Sequence, residues 1–219
     1  MVDEVQRDSD SSLIKYADKI LYYKNALPGL KGLVQDLDVY QEQYSVKSSW
    51  VGPWETWRSS DDETDIFGES RRGNFNPPAG LTEVLHEYSE YDSKSKAIAV
   101  SLKEALDSLA RDYCANTDTV NIGYLKDSFF IKKYNTGVGM GAHFDMYPDS
   151  DNETMLSAVV YVNDDYEGGE IIFPEYDLGI KPEAGSILFF PSTSDYIHES
   201  KEVGQGKKIM IPMFWYANG

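Results

Sequence analysis

The chain has 219 residues and a mass of 24.7 kDa, the size of one domain, and long enough to hold a core without disulfides or a structural metal. Its 37 acidic and 20 basic residues leave a net charge of −17 and a pI near 4.5, so its surface repels phosphate backbones and no nucleic-acid partner is expected. One cysteine, Cys114, excludes a disulfide framework and any multi-cysteine metal cluster, and fits a reducing compartment.

The acidic start Met1–Asp8 is unlike a signal peptide. The longest apolar stretch, Ile209–Ala217, contains Pro212 and is far shorter than a membrane span. A soluble, cytoplasmic protein with no membrane partner is expected. Leu13, Ile14, Ala17, Ile20, Leu21 and Leu27 stand at near-helical spacing, which predicts a short amphipathic helix over Leu13–Asn25, stopped by Pro28-Gly29.

Residues 50–80 are irregular. They carry Gly52-Pro53, the acidic run Asp61–Asp65, Arg71-Arg72 and Pro77-Pro78, and read as a long surface excursion. Trp50, Trp54 and Trp57 have helical spacing beside Arg58 and suit packing against the core. The sharper alternative is a lid that grips an extended peptide, since aromatic grooves accept polyproline segments. His86 lies among Glu83, Glu87 and Glu90 and reads as a surface residue.

Between Lys94 and Cys114, Ala97, Ile98, Leu102, Ala105, Leu106, Leu109 and Tyr113 share one helical face, uninterrupted by Gly or Pro. This is the best predicted helix. After Lys126 the period turns to two. Strands are expected at Ser128–Asn135, Gly141–Asp145, Met155–Asn163, Gly169–Phe173, Gly179–Lys181, Ser186–Phe190, Tyr196–Glu199 and Lys207–Trp215. Helices that precede the strands, without alternating with them, give an α+β fold with a jelly-roll or sandwich core.

The chain has three histidines, and two fall in the strand-rich half. In His143-Phe144-Asp145, an extended backbone would point residues i and i+2 to one side. His198, on a later strand, can join them. Two imidazoles and one carboxylate with an open face form the non-haem Fe(II) arrangement that activates O2. By itself an HxD triplet arises easily by chance, and a packed core histidine is the plainer reading of His198. Lys208 follows ten residues after His198 on the last strand, and there its cation could meet the far end of a dicarboxylate. Lys207 would face solvent. Tyr161 and Ser157 share one face of their strand, and Tyr134 ends another.

Taken in order, Tyr134–Gly137, His143-Phe144-Asp145, Tyr161-Val162-Asn163, Gly168–Phe173, Pro182–Phe189, His198 and Lys208 resemble the Fe(II)/2-oxoglutarate-dependent dioxygenases, in the prolyl 4-hydroxylase-like (alpha-subunit catalytic domain) branch. The resemblance covers about residues 126–216. It implies a double-stranded β-helix core at 126–219, with residues 1–125 as N-terminal helical support and lid-like excursion of the same domain. It implies His143, Asp145 and His198 as iron ligands and catalytic residues. Lys208 would pair with the distal carboxylate of 2-oxoglutarate, with Tyr134, Tyr161 and Ser157 as further cosubstrate contacts. The implied cofactors are Fe(II), 2-oxoglutarate and O2, with L-ascorbate sustaining turnover. The implied reaction hydroxylates a prolyl residue in a Pro-containing peptide or protein and releases succinate and CO2. Gly168-Gly169 would make a tight turn.

Some positions depart from the family pattern. Glu202-Val203 stands where Pro-Val is frequent, Ile171 where Thr is usual, and Phe214 where Trp is usual, which puts Trp215 on an outward face. These departures weaken a collagen-like substrate. The rival readings are hydroxylation of a free amino acid or other small molecule, and a metal-binding jelly roll without turnover. The acidic segment Met146–Glu153 could repel anions or draw basic substrates, or be a merely solvated loop. The sequence leaves the oligomeric state open.

Overall fold

The computed structural model describes residues 13–30, 93–119, 122–125, 132–146 and 154–217. The expectations for the tryptophans at 50–57, for Arg58, Arg71-Arg72 and His86, and for Asp149, Asp151 and Glu153 lie outside those residues.

Thirteen strands and one long helix are described. The strands are β1 (Leu13–Ala17), β2 (Ile20–Tyr23), β3 (Ile122–Leu125), β4 (Lys132–Asn135), β5 (Met140–His143), β6 (Thr154–Tyr161), β7 (Glu167–Gly168), β8 (Ile171–Phe173), β9 (Leu178–Ile180), β10 (Ile187–Pro191), β11 (His198–Ser200), β12 (Val203–Gln205) and β13 (Lys207–Ala217). The helix α1 runs from Ser93 to Thr117.

The larger sheet has the order β1-β2-β10-β6-β13-β3, with β4 also paired to β13, and the smaller has the order β5-β11-β8-β9. A two-stranded ribbon joins β7 to β12. Every pairing is antiparallel. This is the jelly-roll core expected from the sequence.

The larger sheet is buried on both faces, which explains the near-continuous apolar reading of its central strands. Along β6 and just beyond it, Leu156, Ala158, Val160 and Val162 pack in one core with Leu106, Leu109, Ala110 and Tyr113 of α1. Val159 and Tyr161 point the other way, into a second core with Ile171 and Phe173 of the smaller sheet. Alternation along one strand thus serves two cores. Polar tips fasten the helix to the sheet. Tyr23 donates to Asp112 (3.0 Å), Tyr113 to the Lys19 carbonyl (3.0 Å), and the Trp215 indole to Asp107 (3.3 Å). Trp215 is 1% exposed; its outward placement is corrected because α1 covers that face.

The helix expected over Leu13–Asn25 is replaced by the hairpin β1–β2. Ile20-Leu21-Tyr22-Tyr23 is buried along its whole length, with Leu21 and Tyr23 in the helix-side core and Ile20 and Tyr22 in the inter-sheet core. A run apolar on both faces suits an inner strand, and β10 offers it a ladder through Leu21↔Phe189, Tyr22↔Leu188 and Tyr23↔Ile187. Helical spacing among the flanking residues was too weak to compete with that pairing. The N-terminal support is therefore a strand pair plus one described helix. Among the described residues, no helix is long and apolar enough to cross a membrane.

Candidate metal centre and cosubstrate pocket

His143 ends β5 and His198 begins β11, and the two are direct partners across the antiparallel ladder, with ring centroids 4.3 Å apart. The strand expected to reach Asp145 stops at His143. Asp145 is instead held by a different anchor: its own N–H and that of Met146 donate to the Ser192 carbonyl just past β10, at 3.2 and 2.9 Å. The carboxylate still returns to the histidines. One oxygen is 3.5 Å from His143 Nε2 and the other 3.8 Å from His198 Nε2. One donor atom from each of the three residues lies within 4.8 Å of the others.

Both imidazoles are oriented by backbone carbonyls. His143 Nδ1 lies 2.8 Å from the Gly141 carbonyl, and His198 Nδ1 lies 3.1 Å from the Tyr196 carbonyl. A carbonyl can only accept, so Nδ1 carries the proton in each ring and Nε2 is the basic nitrogen turned toward Asp145. Phe190 and Phe173 pack on His198 with centroids at 4.6 and 5.7 Å, so the inner side of the site is apolar. Two imidazole nitrogens and one carboxylate, without thiolate, form a donor set that suits Fe(II).

Lys208 is 1% exposed. Its ammonium donates to the Gly169 carbonyl (2.6 Å) and to the Ser200 hydroxyl (2.8 Å), both neutral acceptors. Burial, and secondarily the nearby Lys181 cation, push its pKa from the ordinary 10.5 down to about 7, partly opposed by Glu170. A buried cation whose hydrogen-bond partners among the described residues are neutral is suited to pairing with an anion. Ser200 sits two residues beyond His198 on the same strand, so the ammonium tip lies on the order of 7 Å from the histidine along one sheet face. That spacing is of the order of a five-carbon diacid chain. Lys207 is exposed, as its alternate position on β13 requires.

The tyrosines flank this cation. Tyr134 is the cross-strand partner of Lys208, and Tyr161 is the partner of Met210 on the next inward position. The Lys208 ammonium lies 5.5 Å from the Tyr161 ring centre. Tyr161 is fully buried, and its hydroxyl has no hydrogen-bond partner among the described residues. The Tyr134 hydroxyl meets the Met140 sulfur at 3.5 Å. Burial raises the pKa of both phenols, so they remain protonated donors. Ser157 is the cross-strand partner of Phe190, whose ring packs on His198. It lies four residues from Tyr161, on the order of 13 Å along the strand, and its hydroxyl pairs with that of Ser192 at 2.8 Å. It braces the residue that anchors Asp145.

Gly168 and Gly169 have φ of +70° and +67°, the left-handed region that favours glycine. A Cβ on Gly169 would stand 3.0 Å from a Tyr166 ring carbon and 3.2 Å from the Lys208 stem. The glycine pair therefore makes the tight turn expected of it, and also lets the backbone carbonyl reach the lysine. Cys114 is half-buried with its thiol pKa pushed up by burial, consistent with a packed residue. Sequence reasoning missed Ser192, Ser200 and Tyr166. Only Ser200 carried a legible signal, as the i+2 neighbour of His198 on one strand.

The fold is a jelly roll, and His143, Asp145 and His198 form a donor set that could hold a metal ion. Residues 129–217 match the sequence model of the 2OG-Fe(II) oxygenase superfamily. The chain is also similar to human prolyl 3-hydroxylase 2, with 40% identity over 65 residues. The aligned stretch covers 27% of this chain and only 9% of that relative. Solved structures share the fold at low identity. A Trichoplax adhaerens prolyl hydroxylase, in complex with a hypoxia inducible factor peptide fragment, gives a TM-score of 0.64 at 17% identity, over 92% of this chain and 84% of that one. A viral collagen prolyl hydroxylase from Paramecium Bursaria Chlorella virus-1, in its 2OG complex, gives 0.56 at 14%, over 92% and 97%. A Pseudomonas putida prolyl-4-hydroxylase gives 0.56 at 18%, over 92% and 94%.

Proposed function

We propose that this oxygenase hydroxylates a prolyl residue in a peptide or protein, with Fe(II) held by His143, Asp145 and His198 and 2-oxoglutarate held at its far end by Lys208. The observation that carries the cosubstrate assignment is the buried Lys208 ammonium, whose acceptors among the described residues are neutral, placed about two strand residues from His198. Iron at the triad supplies the redox chemistry that couples O2 and 2-oxoglutarate to C–H hydroxylation, with release of succinate and CO2.

The protein's own part is positional. The Gly141 and Tyr196 carbonyls lock the imidazoles with Nε2 inward. The Ser192 carbonyl fixes the loop that presents Asp145. Lys208, with the Tyr161 hydroxyl, neutralises and orients the diacid, so its reactive end meets the triad in one pose. Phe173 and Phe190 exclude water behind His198. Phe144, between two of the triad residues, is 42% exposed and offers an apolar surface suited to a pyrrolidine ring. The fold's likeness to proteins named prolyl hydroxylases supports proline as the target, and ascorbate as accessory reductant is proposed on the same resemblance.

The test is succinate release by the full chain with Fe(II), 2-oxoglutarate, ascorbate and air, driven by Pro-containing peptides or by free proline. A peptide product carrying one added oxygen on proline, seen by mass spectrometry, is the expected result. Turnover only with a free amino acid would move the substrate to the small-molecule class. Absence of any 2-oxoglutarate consumption would favour a binding protein.

A further inference from the structure

Tyr166 has no part in the roles assigned so far, yet it is 6% exposed and its buried hydroxyl has no hydrogen-bond partner among the described residues. Such a group is costly to leave unpaired. Its ring is held in place. The Lys181 ammonium stands over the ring 3.9 Å from its centre and donates to the Tyr166 and Gly168 carbonyls at 3.0 and 2.5 Å. The ring carbon that would touch a Gly169 Cβ at 3.0 Å is Cε2, which adjoins the carbon bearing the hydroxyl. The Lys208 Cδ would touch the same Cβ at 3.2 Å. The hydroxyl end of Tyr166 and the stem of Lys208 are therefore neighbours across one glycine. Tyr161, whose hydroxyl is likewise unpartnered, lies beside the same lysine and within electrostatic reach of Tyr166.

We propose that Tyr166 is a further binding residue for the distal carboxylate of the dicarboxylic 2-oxo acid, donating alongside Tyr161 and so selecting diacids over monocarboxylic 2-oxo acids. The proposal rests on the cosubstrate reading above. A carboxylate offers two oxygens and about four acceptor sites, enough for one ammonium and two phenols. A ligand ending in a methyl group would enter the same space and leave both hydroxyls and the cation unpaired, the situation in which a polar pocket discriminates most strongly. Burial keeps both phenols protonated, so they can only serve an acceptor as donors.

Tyr166→Phe keeps the ring under Lys181 and removes only the hydroxyl. Calorimetry on the full chain loaded with Mn(II) would compare binding of 2-oxoglutarate and of 2-oxovalerate, its monocarboxylic counterpart. Loss of one hydrogen bond to a charged acceptor predicts about tenfold or more weaker 2-oxoglutarate binding. Binding of 2-oxovalerate should be unchanged or tighter, and the thermal midpoint of the ligand-free protein unchanged or higher. Tyr161→Phe, in parallel, should give a similar loss. Wild-type affinity in Tyr166→Phe, or an equal loss for both ligands, would overturn the proposal and leave the cosubstrate reading standing. A wild-type chain that holds Mn(II) but binds no 2-oxoglutarate would remove that reading, and the proposal with it.

Discussion

Replacing Lys208 by methionine should stabilise the ligand-free protein while abolishing its diacid affinity. The side chain is 1% exposed, and its pKa falls from 10.5 to about 7. At roughly 1.4 kcal/mol per unit, the buried ammonium destabilises the fold by about 5 kcal/mol at low pH. Methionine removes that penalty but leaves the Gly169 carbonyl and the Ser200 hydroxyl without their donor, which costs about 1–2 kcal/mol each. The net gain is roughly 1–3 kcal/mol, or several degrees in Tm for a chain of this size. The sign with pH is fixed. Between pH 7 and 10.5 the unfolded lysine binds more protons than the folded one, so wild-type stability rises through that window and the variant's advantage shrinks. A bound carboxylate stranded without its cation should lose about 3–5 kcal/mol, so 2-oxoglutarate affinity drops by roughly 10² to several times 10³. Thermal melts at pH 6 and 9, with calorimetric titration, would measure both. A variant less stable than wild type at pH 6, or one that binds the diacid normally, would refute the reasoning.

The same lysine makes cosubstrate affinity pH-dependent. Lys181 and Glu170 are the charged groups that act on Lys208 in the ligand-free pocket, and an arriving carboxylate raises its proton affinity. Above pH 7 binding must draw in a proton, so affinity should fall by up to about tenfold per unit, measurable as proton uptake by calorimetry in buffers of different ionisation enthalpy. Gly169→Ala should destabilise the fold by about 1–3 kcal/mol and weaken 2-oxoglutarate binding, because φ is +67° and the new Cβ meets Tyr166 and Lys208; denaturant melts and titration check this. Ser192→Ala should reduce stability by about 1–3 kcal/mol by leaving the Ser157 hydroxyl unpaired. Metal affinity should hold, because the anchor for Asp145 is the Ser192 backbone carbonyl; competition against a metallochromic chelator would show it.

The core of the fold was legible where strand pattern and chemistry coincided. Lys207–Ala217 and Thr154–Tyr161 form the central pair of the larger sheet, and their long Val-, Ile- and aromatic-rich runs have no rival conformation. His143, Asp145, His198 and Lys208 were legible as residue types at spacings that a metal site beside a diacid pocket would need. Asp145 shows the limit of that reading. Its side chain joins the histidines, but through a backbone anchor at Ser192 and not through strand geometry, and a main-chain carbonyl has no sequence signature. The β1–β2 hairpin was misread because its pairing partner, β10, lies far away in sequence. The short strands Ile122–Leu125 and Val203–Gln205 were missed for a similar reason: each exists through a neighbour, β13 for one and β7 for the other. Tyr166 was invisible as a pocket residue because only the Gly168-Gly169 turn brings its ring beside Lys208.

The triad and Lys208 are proposed to serve one bound pair, ferrous iron and 2-oxoglutarate. Anaerobic titration of the full chain with Fe(II) and then 2-oxoglutarate, followed by visible absorption, is the measurement. A weak charge-transfer band should grow to saturation only when both are present, vanish in His143→Ala, and require far more 2-oxoglutarate in Lys208→Met. A featureless spectrum from the folded wild-type chain, or an undiminished band in His143→Ala, would contradict the assignment.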